Sequence, residues 1–186
     1  MTMEQWTEVK ITENLRETLS EHRFEHSLGV MREAERIAGK FGLDADKCRL
    51  AGLVHDCARE MNMDEMRENP SLHGILGAEI ARERYGITDP EVLEAVRAHT
   101  TGLPGMGPVA QAVFIADYTE EGRVGEHFDK VREILENDGL MAAVEAECRM
   151  TITHVSSLPG RTLCLDSVRT LNWAVEENKK IRRDVK

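Results

Sequence analysis

Apolar residues recur at three- and four-residue spacing along most of this 186-residue chain, and the strict alternation of a half-buried strand persists nowhere. That pattern restricts the chain to packed helices, an all-α fold. From Thr7 to Leu43, Ile11, Leu15 and Leu19 mark one stripe and Phe24, Leu28, Met31 and Ala38 another, which predicts two successive helices. Asp44 is placed to cap a third, whose stretch Cys48 to Ala58 is apolar almost all round, broken mainly by Arg49, His55 and Asp56. Such a helix belongs in the core. Hydrophobic residues make up 41% of the chain but aromatics only 4%, which suits helices packed through Leu, Ile, Val, Met and Ala.

Punctuation divides the remainder. Asn62 to Pro70 is polar and reads as a loop or short helix, after which Ser71 can cap a helix to about Tyr85, stopped by Gly86. Asp89-Pro90 opens another helix with His99 at its end, because proline in the first turn sacrifices no hydrogen bond. Thr100 to Gly107 is a glycine-rich loop, and Pro108 starts a helix through Val113 and Ile115 to Asp117. Further helices are predicted over Phe128 to Glu136, Leu140 to Ser156 and Asp166 to Lys179. With no repeat and no break in composition, 1–186 reads as a single domain.

A net charge of −10 opposes a general nucleic-acid or anionic-membrane surface, since both need basic patches. A small anionic ligand would need local cations, from a metal or a few arginines. The four cysteines form no C-x-x-C pair and read as reduced core thiols. The N-terminus has no signal-like pattern and no apolar run is long enough to span a bilayer, so a cytoplasmic location is expected.

The adjacent His55-Asp56 at the end of an apolar helix is the most informative polar feature, because burying an imidazole and a carboxylate is costly unless something satisfies both. A divalent cation would. Asp117 has the same character, one carboxylate after Val113-Phe114-Ile115-Ala116, and His26 shares a face with Val30 and Ile37, with Gly29 beside it to permit close approach of another helix. Taken singly, each also fits a hydrogen-bonded core residue. His22, His127 and His154 lack comparable context and read as ordinary surface histidines, although His22, beside Arg23, could face a substrate.

The joint order of His, His-Asp and Asp on separate helices resembles the HD superfamily of metal-dependent phosphohydrolases. The stretches that carry it are Arg23-Phe24-Glu25-His26-Ser27, Leu53-Val54-His55-Asp56 and Phe114-Ile115-Ala116-Asp117-Tyr118. With Leu72-His73-Gly74, Arg97-Ala98-His99-Thr100-Thr101-Gly102 and Arg123, the chain more narrowly resembles the YqeK-type HD proteins, which hydrolyse diadenosine tetraphosphate symmetrically to two ADP. The motifs span about 21–123, leaving helices over 126–186 to complete an HD-type bundle.

The resemblance implies that His26, His55, Asp56 and Asp117 bind a divalent metal, usually iron in this family. His73 and His99 would either complete a second metal position with Asp56 bridging or contact phosphates beside a single ion, so one or two ions remain open. Asp56 would orient the attacking water, giving a catalytic group of Asp56, His73 and His99. Arg23, Arg59, Arg123, His73, His99 and Thr100 would contact substrate, and Asn172, beside Trp173, is a candidate for the nucleoside. Glu120-Glu121-Gly122-Arg123 departs from the expected Glu-Pro-Gly-Arg turn, which bears on the placement of Arg123. The resemblance also implies a homodimer. A different nucleotide substrate, or a non-catalytic metal- or nucleotide-binding regulatory module, are the competing readings.

Overall fold

A computed structural model describes residues 7–61 and 72–184, and among them every regular element is an α-helix. Thr7 caps α1 (Glu8–Thr18), its side chain accepting from the Lys10 N–H at 3.4 Å. α2 (Glu21–Phe41) ends on Gly42, whose φ of 66° is the left-handed cap that glycine adopts without strain. Asp44 caps α3 (Ala45–Val54) by accepting from the Lys47 N–H at 3.1 Å. α4 (Leu72–Glu83) precedes α5 (Pro90–Ala98), whose Asp89 cap accepts from Glu91 and Val92 N–H groups at 2.9 and 3.4 Å. α6 (Pro108–Thr119), α7 (Glu126–Asp138), α8 (Leu140–Ser157) and α9 (Leu165–Asp184) follow. The predicted Ser71 cap and the polar stretch from Asn62 to Pro70 lie outside the described residues.

The fold is organised around α6. Its residues from Val109 through Ala116 are all buried, and it touches α2, α3, α5, α7 and α8. A helix apolar on every side has no face to give to solvent, and each buried Val, Ile or Phe contributes about 1.5–3 kcal/mol when shielded all round. Within the stretch only Gln111 is polar, and its amide donates to Met106 O at 2.9 Å; Asp117 is the first charged residue, placed where α6 leaves the core. α2 and α3 meet almost backbone to backbone at Gly52, where an added Cβ would lie 3.0 Å from Met31 Cα and from Val30 O. Gly52, and not Gly29, is the close helix contact. The space beside Gly29 is filled instead by the Glu120 side chain at the end of α6.

α3 is shorter than its apolar pattern suggests. The helix stops at Val54, and the chain continues in tighter turns, with Cys57 N–H donating to Val54 O at 3.0 Å and Arg59 N–H to Asp56 O at 2.9 Å. The cause is His55 at the C-cap, whose ring Nδ1 donates to Gly52 O at 2.7 Å and so takes up one of the last helical carbonyls. The turn is anchored to the start of α2, where Ser20 Oγ donates to Glu60 Oε1 at 2.7 Å.

Candidate metal and phosphate site

Four helices deliver the buried polar residues to one place. His26 lies in the second turn of α2, His55 at the C-cap of α3, His73 in the first turn of α4 and His99 at the C-cap of α5. His99 repeats the device of His55, its Nδ1 donating to Val96 O at 2.7 Å. The Nδ1 of His26 faces Glu120 Oε1 at 3.2 Å, a carboxylate buried at 4% exposure. A ring nitrogen facing a backbone carbonyl must donate, so His55 and His99 each turn an Nδ1–H to the main chain and direct Nε2 into the cluster, and at His55, whose Nε2 has no hydrogen-bond partner, that nitrogen is a lone pair. Such partners fix metal-ligating histidines in orientation.

The free nitrogens converge. Ring centroids of His26 and His55 are 5.3 Å apart, those of His55 and His99 4.8 Å, and those of His73 and His99 4.8 Å. His26 Nε2 lies 2.9 Å from Asp117 Oδ1, yet that nitrogen and His55 Nε2 are both buried with no hydrogen-bond partner. On the other side, Asp56 Oδ1 is 3.4 Å from His99 Nε2 and 3.5 Å from His73 Nε2, while His73 and His99 Nε2 are 2.9 Å apart. Among the described residues two groups result, His26, His55 and Asp117, and His55, Asp56 and His99; within each, the donor atoms all lie within 4.8 Å of one another.

Orphaned buried nitrogens beside two carboxylates are what a divalent cation would satisfy, and all the donors are nitrogen or oxygen. The neighbouring thiol of Cys57 is turned away, donating to Gly77 O at 3.5 Å. Burial pushes His55 down to about 4 and His73 down to about 3, which keeps both imidazoles neutral and able to ligate. Burial works against the Asp56 charge, but the imidazoles of His55, His99 and His73 outweigh it and hold the carboxyl well below its ordinary value. Asp117 is likewise held low: burial opposes its charge, while the close approach of His26 and the neighbouring imidazoles of His55 and His99 favour it.

Arginines ring the cluster. Arg23 Nη1 lies 3.2 Å from Asp56 Oδ2, and Arg59 Nη1 lies 2.8 Å from His73 Nδ1. Arg123 Nη2 donates to Asp117 Oδ1 at 3.1 Å and its Nε to Asp117 O at 3.2 Å, so the changed turn sequence still brings this guanidinium to the carboxylate. Thr100 Oγ1 is 2.9 Å from His73 Nε2. All of these face a cavity of about 630 Å³, within the range of small-molecule sites.

Asn172 is not brought to it. α9 buries Thr170, Ala174 and Asn178, every fourth residue, with Thr170 against Gly102 and Asn178 donating to Met141 O of α8 at 3.2 Å, which leaves Asn172 exposed on another face. The outer wall comes instead from Tyr118, His127, Phe128, Met150 and Thr151, with His154 at the exposed mouth. His127 and His154 are exposed, as expected of surface residues; that they also line the cavity depends on α7 and α8 folding over the site, which nothing local shows. Sequence reasoning missed Glu120 and Glu147, both buried. Glu147 carried a readable signal, a carboxylate sharing a helical face with Ala143 and Val144, the pattern that singled out Asp117.

The HD domain family matches residues 23–122 of this chain. The chain is 31% identical over 176 residues to a symmetrical bis(5'-nucleosyl)-tetraphosphatase of Bacillus subtilis, covering 87% of this chain and 94% of that protein. To the protein of the same name from Halalkalibacterium halodurans it is 34% identical, over 87% of this chain and 93% of that one. A crystal structure of a predicted HD superfamily hydrolase from Clostridium acetobutylicum, described as involved in NAD metabolism, superposes with a TM-score of 0.85 at 34% identity, covering 94% of this chain and 100% of the other. By a domain match over more than half its length and near full-length kinship to these enzymes, the chain belongs to the HD-domain family of symmetrical bis(5'-nucleosyl)-tetraphosphatases.

Proposed function

We infer that this chain is a metal-dependent hydrolase that cleaves diadenosine tetraphosphate symmetrically into two ADP. The observation that carries the reading is the convergence of two overlapping donor groups, sharing His55, at a cavity ringed by Arg23, Arg59 and Arg123. His26, His55, Asp56 and Asp117 would hold the ion. His99, and His73 beside it, would complete a second position or contact phosphate. Iron fits the nitrogen and oxygen donors, as the family resemblance implies.

A divalent ion at these residues supplies Lewis-acid polarisation and lowers the pKa of a bound water. The chain's own groups do the rest. Arg23 and Arg123 already engage carboxylates at the cluster, and each guanidinium can exchange that partner for two phosphate oxygens. Arg59 reaches phosphate from the His73 side, and the Thr100 hydroxyl offers a neutral hydrogen bond beside it. Asp56 orients the attacking water as acceptor. The water oxygen bonds to one inner phosphorus, the central bridging P–O bond breaks, and the second ADP leaves with the bridging oxygen. The chain acts as one domain on a small nucleotide, and a cytoplasmic homodimer completes the reading. Consistent with that location, no described helix is long and apolar enough to cross a membrane.

The test is to incubate metal-reconstituted protein with diadenosine tetraphosphate and resolve the products. Two ADP are expected. AMP plus ATP, or faster turnover of mononucleotides or cyclic nucleotides in a parallel panel, would replace this substrate with another, and no turnover with the metal bound would leave a binding module.

A further inference from the structure

Glu147 takes no part in the chemistry described above, and its position is unusual. It is 5% exposed, lines the cavity, and its Oε2 is buried with no hydrogen-bond partner. Among the described residues no cation lies within ion-pair distance of it; Arg123, the basic residue that bears on its charge, is engaged with Asp117. A buried carboxyl without a partner costs free energy, and a ligand that supplies the missing hydrogen bonds removes that cost. Along α8, Glu147, Met150, Thr151 and His154 recur at the spacing of one helical face, and all four line the cavity.

The facing wall is aromatic. Tyr118 and Phe128 lie with ring centroids 4.9 Å apart, and His127 and Phe128 3.9 Å apart. Aromatic rings and a methionine in the lining of one cavity are groups against which a flat base packs. The cavity's remaining carboxylates, Asp56 and Asp117, both belong to the metal cluster.

We propose that Glu147 is the specificity-determining residue of a nucleobase subsite formed between α7 and α8, pairing as a neutral acid with the amino and ring-nitrogen edge of adenine. The carboxylic acid presents one O–H donor beside one carbonyl acceptor. Adenine presents the complement, an amino donor beside a ring-nitrogen acceptor. Burial, with the charge of Asp117 adding to it and that of Arg123 opposing, raises the Glu147 carboxyl well above its ordinary value, in keeping with a neutral acid. This assignment rests on the dinucleoside tetraphosphate reading of the site.

Titration calorimetry on the metal-reconstituted full chain tests it, with ADP, purine riboside 5'-diphosphate, which lacks the 6-amino group, and pyrophosphate as probes. Wild type is expected to bind ADP about tenfold more tightly than the deaminated analogue, since the analogue leaves the carbonyl unpaired. Glu147→Gln, which keeps one donor and one acceptor, retains that ratio. Glu147→Leu brings it to within about twofold, leaves pyrophosphate binding unchanged and melts no lower than wild type. A wild-type ratio near one, a full ratio in Glu147→Leu, or a Gln variant that loses the ratio would overturn the proposal. Equal loss of ADP and pyrophosphate binding would also overturn it, by showing a structural role. Because the readout is binding, selectivity without cleavage would sink the hydrolase reading alone, and cleavage to two ADP with unaltered selectivity would sink this one alone.

Discussion

Replacing Gly29 with alanine should separate stability from metal affinity. Gly29 sits inside α2, so alanine improves the helix by about 1 kcal/mol. The new Cβ would lie 2.6 Å from Glu120 Oε2, 3.2 Å from its Cδ and 3.5 Å from its Cβ, so the carboxylate must move. The struck oxygen, Oε2, accepts from Gly122 N–H at 2.5 Å while Oε1 faces His26 Nδ1 at 3.2 Å, and because both belong to one rigid carboxylate its displacement disturbs the His26 contact as well. A hydrogen bond to a charged group contributes about 1.5–3 kcal/mol, so the net destabilisation is about 1 kcal/mol, a shift of a few degrees in Tm. The metal reports more strongly. With its Nδ1 partner gone, His26 is no longer held in orientation, and loss of such a partner weakens metal affinity about 10–100-fold. Chelator competition on wild type and Gly29→Ala, with Glu120→Gln as a second route to the same loss, measures this. A folded Gly29→Ala variant with wild-type affinity would refute the role given to Glu120.

Asp56→Ala should lose both metal content and hydrolysis, whereas Arg23→Ala should keep its metal by elemental analysis and lose about 10–100-fold in turnover, a charge-assisted contact to phosphate. Gly74→Ala contrasts with Gly29→Ala, because its Cβ would meet backbone, Arg97 O at 2.7 Å and Val96 O at 3.2 Å. Separating α4 from α5 should cost about 1–2 kcal/mol beyond the helical gain and pull His73 from His99, seen as a lower Tm with reduced activity. Metal-free protein should lose stability on acidification from pH 7 to 5. His55 and His73 sit at about 4 and about 3 when folded, so below the ordinary imidazole value of 6.5 the unfolded chain takes protons that the folded one refuses. The stability present above 6.5 is lost as pH falls toward those values, about 2 kcal/mol by pH 5 for His55 alone. His26 and His99 are raised and offset part of this: burial lowers each, but Asp117 for the first and Asp56 for the second outweigh it. Melts that are flat or rising over that range would contradict the neutral burial of His55.

The helices were legible because their signals are local. Asp44, Asp89-Pro90 and Pro108 act within a turn of themselves, and the stripe of Ile11, Leu15 and Leu19 needs only the helical period. The end of α3 was not legible, because it depends on which carbonyl the His55 ring takes. Burial of the His55-Asp56 pair and of α6 up to Asp117 was written in their apolar surroundings, and the family pattern joined them to His26.

What the sequence by itself determined is therefore an all-helical chain carrying buried imidazoles and carboxylates that need a cation, since helical period and the cost of burying charge are properties of short segments. Only the tertiary structure decided that Glu120 holds His26, that Asn172 faces away, and that α7 and α8 bring His127, Phe128 and Glu147 over the cavity. Each depends on how helices far apart in the chain are seated, and seating is set by the summed packing of their faces, which no local window contains.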